Sequence, residues 1–259
     1  MRVALGIEYD GHGFHGWQWQ SNAISVQEVV EQALCKVANQ PVRVICAGRT
    51  DTGVHAQGQV IHFDTQAQRN ERAWIFGCNA NLPKSVVVTW AQLVDDQFHA
   101  RFSAKRRRYR YVILNRAVRP TFLMHRVAWE YRPLQAEVMQ QAAMSLVGEH
   151  DFSAYRASGC QSKTPVREIF TIDIQRKNEL VLIDIEANAF LHHMVRNIAG
   201  VLMAIGAGEQ PVTWAGDVLQ SKDRRVGGVT ASPHGLYLLD VDYRPDFDLP
   251  RLFDTHMIW

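Results

Sequence analysis

Apolar and polar positions along the chain follow the two periods that distinguish strands from helices. Residues 2–9 alternate and are rich in β-forming side chains, which predicts a strand. Ser25 and Glu28 form a capping-box pattern before apolar residues at helical spacing, so a helix is predicted over 25–39. The same patterns predict further strands at 42–47, 59–65, 86–94, 107–114, 166–176, 180–188 and 235–243, and further helices at 70–78, 134–148, 190–206 and 211–221.

The order strand, helix, strand, strand occurs roughly twice along the chain, although no sequence period accompanies it. Mixed strands and helices with hairpins predict an α+β fold whose sheets are backed by helices on one face. No linker rich in Pro or Ser divides the chain. We therefore expect two similar α/β subdomains, residues 1–105 and 106–259, which share a mixed, mainly antiparallel sheet with helices packed on one face.

The composition is that of an ordinary globular protein, with 47% hydrophobic and 21% charged residues among 259. These fractions exclude a disordered, collagen-like or disulfide-stapled chain.

The four cysteines form no C-x-x-C pair, which favours buried thiols in a reducing compartment. Glu8 and Asp10 interrupt the apolar N-terminus, and the longest apolar run, 198–208, is too short to span a membrane. We expect a cytoplasmic protein.

The formal net charge is only +2, so the positions of the charges matter more than their sum. A basic cluster without acidic residues is formed by Arg101, Lys105, Arg106, Arg107, Arg108 and Arg110. Such a run can be a solvated strand edge that blocks sheet pairing. It can also be a nucleic-acid surface, where arginines bind phosphates and tyrosines stack on unpaired bases. Strand alternation puts Arg107, Tyr109 and Tyr111 on one face, which favours base stacking over a buried core.

The segment 48–57 is a predicted loop that follows a strand and contains Gly48 and Gly53. Its Asp51 can be a simple turn residue whose side chain bonds its own backbone. It can also be a functional carboxylate, because loops after strands often carry functional groups. Arg49 in the same loop would favour the ionised form of that carboxylate.

Residues 48–56, Gly-Arg-Thr-Asp-Thr-Gly-Val-His-Ala, resemble the signature of the tRNA pseudouridine synthase A family, with Asp51 at the position of the catalytic aspartate. The commonest form of the signature has Ala where this chain has Thr52, which is a small-for-small change. Blocks similar to those of the family follow in the same order at 79–83, 98–111, 190–197 and 233–238. The resemblance therefore spans about residues 2–243.

The resemblance implies an isomerase that converts uridine to pseudouridine at positions 38 to 40 of the anticodon stem and loop of transfer RNA. It implies that no cofactor and no metal take part, and that the protein is a homodimer. It also implies a central catalytic cleft, with the subdomain 1–105 carrying the aspartate loop and the subdomain 106–259 completing the cleft.

The resemblance also assigns roles to individual residues. Asp51 is the catalytic carboxylate, and Tyr109 matches a tyrosine that packs on the target base. Arg196 matches an arginine that pairs with the aspartate, and Leu236 matches an apolar residue of the pocket. Arg49 is expected to contact a phosphate. Without the resemblance, Arg196 would be interpreted as a helix-surface residue and Leu236 as a core leucine.

Two histidines precede Arg196 within the predicted helix 190–206. His192 and Arg196 lie four positions apart, so a helix would place them on one face. His192 and His193 are adjacent, and a helix would point them to different sides. This expectation argues against a metal site at the histidine pair.

Two other classes of function remain open for the same residues. One is a non-catalytic RNA-binding or RNA-folding protein that uses the basic cluster. The other is a nucleoside or glycoside hydrolase built on Asp51. A hydrolase normally needs a second carboxylate, and none lies within the aspartate motif.

Overall fold

A computed structural model describes residues 1–250, which divide into two compact units. The first unit contains residues 1–107 and the described residues from Tyr237 onward, and the second contains Arg108–Leu236. The predicted division at 105/106 lies close to the first of these boundaries. It assigns the residues after 236 to the second subdomain, whereas the structure places them in the first unit.

Among the described residues, the first unit contains four whole strands and two helices, together with the start of a fifth strand and most of the last one. Its elements are β1 (Arg2–Tyr9), α1 (Val26–Ala38), β2 (Ile45–Cys46), β3 (His55–Asp64), α2 (Glu71–Asn79), β4 (Val86–Val94), the first residues of β5 (Arg106–Asn115) and all but the first residue of β10 (Leu236–Asp242). Strand β1 pairs antiparallel with β3 and β4, and β2 pairs antiparallel with β3. Strand β10 pairs parallel with β3.

Helices α1 and α2 pack on each other, and α2 packs on β4. The Ser25 side chain accepts a hydrogen bond from the Glu28 backbone N–H, which confirms the predicted cap of α1. Helix α1 ends where Asn39 takes a left-handed conformation with φ +52°. The core between these elements contains the fully buried side chains of Leu34, Ile61 and Trp74.

The second unit contains the rest of β5, β6 (Ala128–Glu130), α3 (Ala136–Ala143), β7 (Gly148–Asp151), β8 (Val166–Lys177), β9 (Leu180–Ala187), α4 (Met194–Gly206) and α5 (Trp214–Ser221). Strand β8 pairs antiparallel with β7 and β9, β9 neighbours β5, and β6 pairs parallel with β5. Helix α3 packs on β8 and on α4. The α+β class with mixed, mainly antiparallel pairing is confirmed.

Several elements of the structure are shorter than the predicted ones, and two strands were not predicted. The predicted strand 42–47 is reduced to β2, and the predicted helix 134–148 is reduced to α3 followed by a 3₁₀ turn at Met144–Leu146. Strands β6 and β7 are not predicted by the sequence pattern. All four cysteines are free thiols, of which Cys46 and Cys78 are buried. Within residues 1–250, no helix combines the length and apolarity that crossing a membrane requires.

The buried His62 makes the stability of the first unit depend on pH. Its Nδ1 accepts a hydrogen bond from the Ala100 N–H at 3.1 Å, and burial lowers its pKa to about 4 from 6.5. Because the folded state disfavours the protonated ring, the unfolded chain binds the extra proton as the pH falls below 6.5. We expect the free energy of unfolding to fall by about 2 kcal/mol between roughly pH 7.5 and pH 5.

Urea denaturation at several pH values measures this slope. A His62→Gln variant keeps a hydrogen-bond acceptor but no titrating ring, so its slope should be flatter by about that amount. The exposed His15 provides a matched control, and His15→Gln should keep the native slope. Equal slopes in native protein and His62→Gln would contradict the assignment.

Candidate functional site

The loop that carries Asp51 runs from position 47 to 54, between β2 and β3. It is shorter than the predicted 48–57, because β3 already begins at His55. The Val54 N–H donates to the Asp51 carbonyl at 3.1 Å, and this bond closes a turn. Gly53 supplies the positive φ of +77° that such a turn needs at its third position. The backbone closes the turn, so the Asp51 carboxylate is not required for it.

The start of the loop is held by the side chain of Gln59 on β3. Its Nε2 donates to the Gly48 carbonyl at 2.6 Å, and its Oε1 accepts from the Gly48 N–H at 3.3 Å. Gln59 is fully buried, at 0% exposure, so water does not compete for these bonds. One position earlier, the Ala47 carbonyl accepts a hydrogen bond from the Arg107 guanidinium at 3.0 Å.

The middle of the loop is held by the segment that follows β1. The Trp17 N–H donates to the Thr50 carbonyl at 3.0 Å, and the hydroxyls of Tyr9 and Thr50 bond at 2.7 Å inside the protein. A Cβ atom on Gly16 would lie 2.7 Å from the Thr50 carbonyl oxygen, so only glycine allows this approach. The backbone immediately before Asp51 is therefore fixed from two directions.

The end of the loop is anchored by His55, the first residue of β3. Its Nδ1 accepts a hydrogen bond from the Gly11 N–H at 3.0 Å, and its ring stacks on Tyr237 with centroids 4.6 Å apart. The Asp10 carboxylate lies 3.1 Å from the same Nδ1, so His55 also contacts the segment that follows β1. Between these anchors, Asp51 is half-buried and Arg49 is exposed.

Strand β5 carries Tyr109 and Tyr111 on one face, together with Arg107, as alternation predicts. Tyr109 is 7% exposed and its ring meets the edge of Phe190, with centroids 5.0 Å apart. Tyr111 is 0% exposed and its hydroxyl donates to the Ser232 carbonyl at 2.7 Å. The expectation that both tyrosines suit base stacking is therefore wrong for Tyr111, which is a core residue.

Arg196 lies in the first turn of α4 and is fixed by the segment after α5. Its Nε donates to the Ala231 carbonyl at 2.9 Å, and the Ala231 N–H donates to the Arg196 carbonyl at 3.1 Å. Burial raises the pKa of the Tyr111 phenol, and the positive charge of Arg196 acts in the opposite direction. Arg196 therefore lies within electrostatic range of the strand that carries Tyr109. Leu236 is buried directly after the 3₁₀ turn at Pro233–Gly235.

The two histidines before Arg196 are not helical, contrary to the prediction. Helix α4 begins only at Met194, because His193 takes a left-handed conformation with φ +61°. The expectation that His192 and Arg196 share a helix face is therefore wrong. The rings of His192 and His193 do not diverge but touch, with centroids 4.0 Å apart.

Part of the basic cluster serves the fold itself. The Arg110 guanidinium bonds both oxygens of Asp184, each at 2.7 Å, and this pairing raises the pKa of Arg110. Arg107 is buried and donates to the carbonyls of Ala47 and Arg101. Arg101, Lys105 and Arg106 are exposed. The cluster combines internal arginines with cations at the surface, so neither of the two interpretations describes all of it.

The structure brings the predicted residues together in two groups. Arg49 and Asp51 share the loop of the first unit, and Tyr109, Arg196 and Leu236 lie in the second unit. The sequence pattern does not reveal the residues that hold the Asp51 loop. Only Gln59 could have drawn attention among them, because it is a polar side chain at the start of a predicted apolar strand.

Comparisons with known proteins agree with the motifs. A family model described as tRNA pseudouridine synthase matches residues 6–103 and 142–244. The tRNA pseudouridine synthase A of Nitrosococcus oceani is 58% identical over 259 residues, which is 100% of both chains. The protein of that name from Coxiella burnetii is 57% identical over 251 residues, covering 97% of this chain and 96% of its own. The one from Shewanella baltica is 57% identical over 252 residues, covering 97% of each chain.

Among solved structures, a Cbf5–Nop10–Gar1 complex matches with 12% sequence identity and a TM-score of 0.37. That match covers 91% of this chain and 48% of the other. A score this low says nothing about the site.

The hydrogen bonds of Gln59 predict how the Asp51 loop responds to a substitution. A Gln59→Leu variant leaves the Gly48 N–H and carbonyl without their partners, so the free energy of unfolding should fall by about 2 kcal/mol. The released loop should also be cut faster by trypsin after Arg49. Urea denaturation and limited proteolysis measure the two effects.

Gln57 on the same strand is the matched control, because its Oε1 forms no hydrogen bond within the described chain. We expect Gln57→Leu to leave the free energy of unfolding unchanged or to raise it, because it removes a buried oxygen that has no partner there. A similar loss of stability in both variants would show that the hydrogen bonds to Gly48 do not account for the effect of Gln59→Leu.

Proposed function

The chain belongs to the tRNA pseudouridine synthase family, and on this premise we propose that Asp51 catalyses the conversion of uridine to pseudouridine in transfer RNA. As a member of this family the chain is an isomerase. The observation that carries the proposal is that Asp51 occupies the signature position in a loop whose backbone is held at its start, middle and end. We take positions 38 to 40 of the anticodon stem and loop as the targets.

The reaction exchanges one bond to the ribose for another. The glycosidic carbon–nitrogen bond breaks, the uracil turns, and a carbon–carbon bond forms to the same sugar. No atoms are gained or lost and no electrons are exchanged with a partner, so the chemistry asks for no redox cofactor. A fixed carboxylate can act as the nucleophile or as the base at such a sugar–base unit.

The other predicted residues bind the substrate in this proposal. The Tyr109 ring stacks on the target base, and its edge-to-face contact with Phe190 supports a fixed ring orientation. Leu236 supplies apolar surface, and Arg196 supplies a positive charge whose orientation is fixed by Ala231. Arg49 is exposed and suits a phosphate contact.

The proposed substrate determines the remaining properties. A uridine in a stem is paired and stacked, so it must be turned out of the helix, which costs a few kcal/mol. Contacts from exposed cations to phosphates can offset this cost. We also propose that the protein acts in the cytoplasm, where transfer RNA is made and used, and that it acts as a homodimer.

The aspartate provides the direct test. Asp51→Asn keeps the size of the side chain but removes the nucleophilic charge, so pseudouridine formation should fall by at least roughly a thousandfold. Transfer RNA affinity, measured by filter binding, should stay within about twofold. Purified protein is incubated with unmodified transfer RNA, and pseudouridine is mapped by a chemistry specific for it.

Thr52→Ala is the control, because it changes the next residue to the commonest family form and should keep activity. Pseudouridine formation by Asp51→Asn would refute the catalytic role. Release of free uracil by the native protein would indicate a hydrolase, and binding without any product would indicate an RNA-binding protein.

Tyr109 allows stacking to be separated from bulk RNA binding. Tyr109→Leu removes the ring, so turnover should fall at least roughly tenfold more than transfer RNA affinity. Tyr109→Phe keeps the ring and reports on the hydroxyl alone. Single-turnover rates and filter binding give the two quantities. An equal loss of rate and affinity in Tyr109→Leu would contradict a role at the target base.

A further inference from the structure

A shallow groove between α1 and α2 lies outside the site described above. Its apolar surface is formed by Val37, Ala73, Phe76 and Gly77. Its basic rim is formed by Lys36, Arg69 and Arg72. Phe76 is 58% exposed, although it is a large aromatic side chain in the middle of a helix. We call this surface the α1–α2 groove.

The rim of the α1–α2 groove carries positive charge without a compensating partner. Within residues 1–250, Lys36, Arg69 and Arg72 take part in no ion pair. The acidic Glu71 is adjacent in sequence but does not line the groove. Three cations close together and one exposed ring therefore face solvent, and an anionic partner with planar or apolar groups would complement them.

Two contacts show that the groove is organised rather than a chance collection of long side chains. The Arg72 guanidinium lies over the Phe76 ring, 4.7 Å from its centroid. The Arg69 Nε donates to the Val37 carbonyl at 3.2 Å and so joins the start of α2 to the end of α1. Arg72 is exposed and keeps its full positive charge, because an aromatic ring carries no formal negative charge to neutralise it.

The groove is far from Asp51 within the same unit. Asp51 precedes the first residue of β3, and Arg69 and Arg72 follow its last residue, Asp64. A strand of ten residues spans about 30 Å. The nucleotide at Asp51 therefore cannot reach these cations, and any RNA in the groove is another part of the same molecule.

We propose that the α1–α2 groove binds transfer RNA outside the anticodon stem and loop, with its cations on phosphates and Phe76 against a ribose or base. This inference rests on the proposed function and extends it to a second contact surface. The combination of cations with an exposed aromatic ring favours RNA over an acidic protein segment, because single-stranded and looped RNA offers phosphates and flat bases together.

The test compares two RNAs, a full-length transfer RNA and its isolated anticodon stem-loop. For the double variant Arg72→Ala/Phe76→Ala, we expect the Kd of full-length transfer RNA to rise roughly tenfold. The Kd of the stem-loop should change less than about twofold, because the stem-loop does not reach the groove. The salt dependence of full-length binding should become shallower by about one unit of log–log slope.

The matched control removes the same residue types elsewhere. Arg119→Ala/Phe122→Ala deletes an exposed arginine and a phenylalanine that is 98% exposed, both in the second unit. It should leave both Kd values within about twofold. If both double variants lost the same affinity for full-length transfer RNA, the loss would come from the lower net charge and not from the groove. That result would overturn the proposal.

An unchanged Kd for full-length transfer RNA in the groove variant would also overturn it, and would leave an acidic protein segment as the candidate occupant. Circular dichroism and urea denaturation check that each variant is folded. Loss of product in Asp51→Asn tests the proposed function separately, because the groove experiment measures binding and not turnover.

Discussion

The two hydrogen bonds between the Gln59 carboxamide and the Gly48 backbone determine where the Asp51 loop leaves the sheet. They are formed in a fully buried place, where an unpaired amide would cost about 1–3 kcal/mol, so the loop and β3 cannot shift independently. The contacts of Thr50 with Tyr9 and Trp17 depend on that starting point. A carboxylate needs this kind of fixed backbone if it is to meet a reacting atom repeatedly in one geometry.

Two sets of cations among the described residues have opposite physical roles. Arg107 and Arg110 are tied to carbonyls or to a carboxylate and stabilise the fold. The cations of the α1–α2 groove have no acidic partner in the part of the chain that the structure describes. Because the net charge is only +2, long-range attraction to RNA is weak, and binding must come from such local groups.

Periodicity predicted the elements whose pattern is local. The bounds of β1 and β4 agree with the predicted ones. Strands β8 and β9 form a hairpin through Asn178 and Glu179, with Asn178 at φ +57°. The predicted start of α4 failed because a single residue, His193, leaves the helical region, and no pattern of apolar residues reports a backbone angle. The strand before Asp51 was predicted too long because β2 pairs with β3 through only two residues.

The chemistry of the site was visible in the sequence only where a motif carried it. Asp51 stands out through its signature. Gln59 is noticeable only as a polar residue at the start of a predicted apolar strand, and its burial against Gly48 is visible only in the structure. His55 illustrates the same limit, since the Tyr237 ring that stacks on it comes from the far end of the chain. Strand β10 pairs parallel with β3 through Tyr237 and Leu238, so the first unit is completed by residues about 180 positions after the loop that they support. Strands so far apart in sequence leave no local pattern that predicts their pairing. A single division of the chain, such as 105/106, cannot place the residues after 236 in the first unit.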